Sequence, residues 1–151
     1  MTQRPKRQYI HKERSSLKHY RAGAFVVRCV DNRFWKVIKH FIKGLGFEHI
    51  DPKSPAGGAK VFSSPVKKGD RDYYLRELEI SIRLHHVDRV MLFTHHDCGA
   101  YGGFSAFKTE DGEFRFHKSE HKKAAQVIKK RFPGLKVNTY FVDDRGIIKT
   151  S

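Results

Sequence analysis

At 151 residues, with 38% hydrophobic and 31% charged side chains, the chain is long enough for one well-cored domain and too short for two. That balance excludes a disordered chain, and no apolar stretch approaches the roughly 20 residues of a membrane span. Thirty-one Lys and Arg against sixteen Asp and Glu give a formal charge of +15. Such a field attracts anions from bicarbonate to nucleic acid, but no nucleic-acid reader motif accompanies it; it fits non-specific polyanion contact or simply a solvated surface.

Residues 1–22 form a basic arm with seven Lys or Arg and the single acid Glu13. The start lacks the apolar run of a secretory signal, so a cytoplasmic, reducing setting is expected. Gly23–Val30 reads as the first strand. In Cys29-Val30-Asp31-Asn32-Arg33 a thiol, a carboxyl and a guanidinium alternate, which in an extended segment puts all three on one side. That trio is poor core material, and the carboxyl end of a strand in an open α/β sheet is where ligands bind. From Phe34 to Leu45, apolar residues at spacings of three and four predict an amphipathic helix ending at Gly44 and Gly46. Residues 47–72, rich in Pro and Gly, read as a loop, in which Gly57-Gly58 lets backbone pass close to a site.

Asp70 or Asp72 is placed to cap a helix over Tyr73–His86, with Leu75, Leu78, Ile80, Ile82 and Leu84 as its buried stripe. His85 and His86 at its end suit the helix dipole. Arg89–Phe93 is a buried strand of the parallel-sheet kind, and it runs into Thr94-His95-His96-Asp97-Cys98-Gly99. The small residues from Gly99 onward permit close approach of backbone N–H groups to an anion. Asp111-Gly112 reads as a turn, and His117 and His121, among lysines, as part of a solvated face. A third helix over Ser119–Phe132 buries Ala124, Ala125, Val127, Ile128 and Phe132; a strand over Lys136–Val142, a turn and a short strand at Ile147-Ile148 close the chain. Strands alternating with helices predict an α/β fold: a mainly parallel sheet with flanking helices, one domain over residues 23–151.

The two cysteines, Cys29 and Cys98, each follow an apolar run. They fit a disulfide, which is unusual in a reducing compartment, two inert buried thiols, or a shared metal. His95 three residues before Cys98 favours the metal, since imidazole and thiolate both suit zinc. Parallel strands can bring Cys29 to the same sheet edge, giving a three-ligand set that leaves a tetrahedral fourth position open, as catalytic zinc requires.

Cys29-x-Asp31-x-Arg33 followed by His95-x-x-Cys98-Gly99 resembles the signature of the β-class carbonic anhydrase family, over a span from about Ala24 to Tyr101. The resemblance implies Zn2+ held by Cys29, His95 and Cys98, with Asp31 and Arg33 as a catalytic dyad. It implies reversible hydration of carbon dioxide to bicarbonate by a metal-bound hydroxide. Asp31, paired with Arg33, leaves the fourth zinc position open; released, it can fill it. Ala56, Gly57 and Gly58 resemble the small-residue lining of the family's pocket, and Gly99 belongs beside them. A homodimer or higher homo-oligomer follows from the family. Alternative readings of the same residues are a hydrolase of carbonyl sulfide or carbon disulfide and a zinc-stabilised basic binding or regulatory module. His96 is expected to be a surface histidine or a proton shuttle, and Asp97 a hydrogen-bond acceptor or helix cap.

Overall fold

Val26, in the strand β1 (Phe25–Val27), lies between Pro52 of β2 (Asp51–Lys53) and Met91 of β3 (Arg89–His95), parallel to both. This is a computed structural model describing residues 2–151. Beyond β3, β4 (Lys136–Asp143) pairs in parallel and β5 (Gly146–Lys149) returns antiparallel, giving a five-stranded sheet in the order β2-β1-β3-β4-β5. The expected α/β class and mainly parallel sheet are what the chain forms. No helix among the described residues is long and apolar enough to cross a membrane.

The pleat sorts the central residues onto two faces. Phe25, Val27, Val90 and Leu92 face a core shared with Val61 and Phe62 of α2 (Lys60–Ser63), Leu78 of α3 (Lys68–His85), and Ala124 and Ile128 of α4 (Glu110–Arg131). Val26, Met91, Phe93 and Val142 face the other way, onto Ile38 and Ile42 of α1 (Trp35–Gly44). With both faces covered, β3 is buried from Val90 to His95, which is why it reads as an unbroken apolar run.

Several boundaries differ from the sequence expectations. β1 is only three residues long: Arg28 still donates to the Lys53 carbonyl, after which the chain leaves the sheet. Cys29, Asp31 and Arg33 are therefore not brought together by an extended strand. Asp31 caps a tight turn over Asn32–Phe34, accepting from the Arg33 N–H at 2.9 Å. The region expected to be a loop contains β2, α2 and the start of α3. β2 is hidden by its brevity and by Pro52, which is tolerated because β2 is an edge strand.

α3 begins at Lys68, and Asp70 lies inside its first turn, where it accepts from the Lys67 N–H at 3.4 Å. Its buried positions are Leu78 and Ser81, whereas Ile80 and Leu84 are exposed. Ser81 is buried because Asp51 of β2 accepts its hydroxyl, along with His85 Nδ1 at 2.7 Å and the Tyr20 hydroxyl at 2.9 Å. His85 is thus tied to a carboxylate, while His86 takes a left-handed conformation (φ 55°) and ends the helix.

α4 begins nine residues before the expected start, with the Thr109 hydroxyl accepting from the Gly112 N–H at 2.9 Å. Asp111-Gly112 is therefore the first turn of a helix. His117 and His121 are not solvated: they are 0% and 1% exposed. The buried stripe of α4 is Glu113, His117, Glu120, His121, Ala124 and Ile128, at helical spacing but mostly polar.

Candidate metal centre

Cys29 lies two residues beyond the end of β1, His95 is the last residue of the adjacent β3, and Cys98 follows three residues later. All three are buried, and their ligating atoms lie within 4.8 Å of one another. The cysteines are free, with Cys29 Sγ 3.9 Å from Cys98 Sγ. That is far beyond the roughly 2.05 Å of a disulfide and close to the ~3.8 Å expected of two sulfurs on one tetrahedral zinc.

The donor chemistry fits a metal. His95 Nδ1 lies 2.7 Å from the His96 carbonyl, which can only accept, so Nδ1 carries the proton. Nε2 is then the bare nitrogen; it is buried and has no hydrogen-bond partner. Cys29 Sγ accepts from the backbone N–H of Gly57 at 3.3 Å and of Asp31 at 3.5 Å. The neighbouring Cys98 thiol, His95 and these N–H groups hold the Cys29 pKa well below that of an ordinary thiol. Cys98 is pushed up in turn by the Cys29 thiolate and by burial. Two sulfurs that cannot both ionise cheaply, beside an unpartnered imidazole nitrogen, form a cluster that a divalent cation would stabilise.

The loop carrying Gly57 fits here through Gly58. Its φ is +57°, and a Cβ would lie 2.1 Å from the Phe93 carbonyl oxygen and 3.1 Å from Cys29 N. Gly58→Ala is expected to destabilise the fold, with backbone strain alone costing about 1–3 kcal/mol. Urea unfolding measures this, and an unchanged midpoint would show that the segment has room to move. Ala56 is exposed, and Gly99 opens a tight turn over Gly99–Tyr101 directly after Cys98.

Arg33 grips both oxygens of Asp31 with one edge of its guanidinium: Nε lies 3.1 and 3.0 Å from Oδ1 and Oδ2, and Nη2 lies 2.7 Å from Oδ2. This holds the Asp31 carboxyl at a pKa of about 2. Asp31 Oδ2 is 3.8 Å from His95 Nε2, so the carboxylate borders the ligand cluster without joining it. The other edge of Arg33 is held by Asp97, through Oδ2 at 3.1 Å and its carbonyl at 3.0 Å. Asp97 Oδ1 also accepts from the Phe104 N–H at 2.8 Å. His96 Nδ1 lies 2.6 Å from the Glu113 carboxylate, so its ring is neither free nor simply solvated.

Sequence reasoning missed two buried carboxylates near this centre. Glu113 holds His96 and the Asp97 N–H. Glu120 accepts from the hydroxyls of Ser63, Ser64 and Tyr101, joining α2, the segment after Cys98 and α4. Their spacing with Ala124 and Ile128 was the available signal, masked by their charge.

A family model described as "Putative carbonic anhydrase" matches residues 21–150. Two Rickettsia proteins described as uncharacterized are similar in sequence. That of Rickettsia bellii is 29% identical over 132 residues, covering 85% of this chain and 80% of its own. That of Rickettsia conorii is 28% identical over 135 residues, covering 85% and 71%. Among solved structures, a carbonic anhydrase from Streptococcus mutans superposes with a TM-score of 0.62 at 17% identity, covering 92% of this chain and 88% of that one. A β-carbonic anhydrase from Trichomonas vaginalis gives 0.61 at 14% identity, covering 92% and 87%. One of two tetrameric β-carbonic anhydrases from Sordaria macrospora gives 0.57 at 15% identity, covering 85% and 81%. With its family model spanning nearly the whole chain, the protein belongs to the family described as putative carbonic anhydrase, and it has the fold of the β-carbonic anhydrases.

Proposed function

We propose that this chain catalyses the reversible hydration of carbon dioxide to bicarbonate, with zinc held by Cys29, His95 and Cys98. The observation carrying this reading is the buried Cys-His-Cys cluster whose His95 Nε2 lacks a partner, bordered by a carboxylate tied back by Arg33. When bound, zinc supplies a water of pKa about 7, and so a nucleophile at neutral pH.

The chain's own residues do the rest. Asp31, ionised well below neutral pH, accepts a hydrogen bond from the nucleophile and orients its lone pair. Arg33 fixes that carboxylate through charge-assisted bonds and keeps it off the ligand cluster. The Gly57 and Asp31 N–H groups favour the Cys29 thiolate. Gly58 lets its segment pass against Cys29 and the Phe93 carbonyl, which brings the Gly57 N–H onto the Cys29 sulfur. A reducing, cytoplasmic setting suits the two free thiols. A homo-oligomer is supported by the tetrameric enzymes of Sordaria macrospora with the same fold.

Stopped-flow hydration of carbon dioxide on zinc-loaded protein tests the assignment. Turnover above buffer is expected between about pH 7 and 9, the range in which the acidified water ionises. No rate above buffer would overturn hydratase activity; turnover of carbonyl sulfide or carbon disulfide alone would reassign the same site as a hydrolase.

One observation favours a second reading, a zinc-stabilised basic binding module. Residues 2–19 are exposed throughout, form no helix or strand, and carry six of the arm's seven cationic side chains. Steeply salt-dependent binding to generic duplex or RNA, without turnover, would favour it.

A further inference from the structure

Glu113 is 1% exposed, yet it lies in the first turn of α4, where a carboxylate could equally face water. Its two oxygens reach adjacent residues of one turn: Oε1 is 2.6 Å from His96 Nδ1, and Oε2 accepts the Asp97 N–H at 2.9 Å. The Asp97 N–H belongs to the peptide unit whose carbonyl, that of His96, accepts His95 Nδ1 at 2.7 Å. A carboxylate at the N–H end of a peptide polarises it and makes the C=O at the other end a stronger acceptor. Metal-ligating histidines commonly pass their second N–H to a carboxylate. Here a peptide stands between the two.

A second branch leaves the same turn. Asp97 has φ +56°, a left-handed conformation uncommon outside glycine. That conformation turns both the Asp97 carbonyl and its carboxylate onto Arg33, at 3.0 and 3.1 Å. Holding a non-glycine residue there is unfavourable for the backbone, and the bond from its own N–H to Glu113 opposes relaxation.

We propose that Glu113 is a positioning residue for both His95 and Arg33, acting through the one peptide unit that joins His96 to Asp97. Through the carbonyl end it fixes the His95 tautomer and ring, so that Nε2 faces the two sulfurs. Through Asp97 it holds Arg33, and Arg33 holds Asp31. This inference rests on the proposed reading that Cys29, His95 and Cys98 bind zinc.

The test is zinc affinity of the full chain, measured by competition with a chromophoric chelator. Glu113→Gln retains an oxygen for the Asp97 N–H and removes the charge. Its affinity is expected to fall roughly 10–100-fold, the usual effect of altering a partner of a metal-bound histidine. Ile128→Ala, further along the same helix in the core, separates this from general destabilisation: it should lower the melting temperature and leave zinc affinity unchanged. Wild-type protein that binds no zinc overturns the metal reading and this inference with it. Tight zinc binding that Glu113→Gln leaves unchanged, or that Ile128→Ala weakens equally, overturns this inference alone. Should Glu113→Gln not fold, NMR of the wild-type chain decides: the Asp97 amide proton is expected downfield and slow to exchange, and free exchange there overturns the proposal.

Discussion

Cys98→Ser is expected to remove stoichiometric zinc while leaving the sheet folded. The wild-type chain should retain about one zinc per chain after gel filtration, as one three-residue cluster implies. If three protein ligands share an apparent binding free energy of about 10–16 kcal/mol, each accounts for roughly 3–5, or some 10²–10⁴-fold in affinity. Serine cannot supply an anion comparable to a thiolate at neutral pH, so most of that share is lost. The fold should survive because Cys98 lies outside both apolar cores, beyond the end of β3. Cys29→Ser should lose zinc similarly, leaving the Gly57 N–H facing a hydroxyl instead of a thiolate. Metal analysis with circular dichroism measures both effects. Full zinc occupancy in both variants would overturn the ligand set, and loss of zinc together with secondary structure would make the metal a folding element.

The candidate centre was unusually legible in the sequence, because sheet geometry concentrates its parts at strand ends. Cys29, Asp31 and Arg33 sit within six residues after β1, and His95 and Cys98 bracket the end of β3. The two strands are adjacent and parallel, so short motifs far apart in the chain meet at one edge. What hydropathy concealed was the support behind that edge. α4 turns Glu113, His117, Glu120 and His121 inward, although the sequence reads His117 and His121 as part of a solvated face. Three of the four are tolerated because they are paired: His121 Nε2 with Thr94, Glu113 with the His96–Asp97 turn, Glu120 with three hydroxyls. Those partners lie on other elements, so no local pattern announces them. His117 is buried among aromatic rings with neither ring nitrogen hydrogen-bonded, and burial depresses its pKa to about 3. β2 was concealed for a different reason: three residues including Pro52 carry no strand signal, and only pairing with β1 makes them one.

Arg33→Ala should uncouple metal binding from turnover. Arg33 makes three close contacts to Asp31 oxygens through its side chain and two to Asp97. Its removal has two conceivable consequences for Asp31, a change of charge or a change of place, and the pKa decides between them. With Arg33 present the carboxyl sits at about 2. Without it, relaxation to an ordinary value near 3.9 would still leave the group almost wholly ionised at pH 7. The variant therefore acts through position. The freed carboxylate needs to move little to reach a cluster whose His95 Nε2 is already 3.8 Å away, and there it would occupy the position that substrate chemistry requires. Zinc content is expected to stay near one per chain while hydration falls by roughly 10²-fold or more, the scale of a lost positioned acid–base group. Cobalt-loaded protein supplies a readout independent of turnover: an added anion such as azide should shift the visible bands of wild type and barely affect those of Arg33→Ala. Arg33→Lys should recover only part of the function, since a point charge cannot reproduce the grip on both oxygens. If zinc is lost along with activity, Arg33 is bracing the ligand cluster itself. If anion binding persists undiminished in Arg33→Ala, Asp31 does not close the site, and its pairing with Arg33 serves orientation alone.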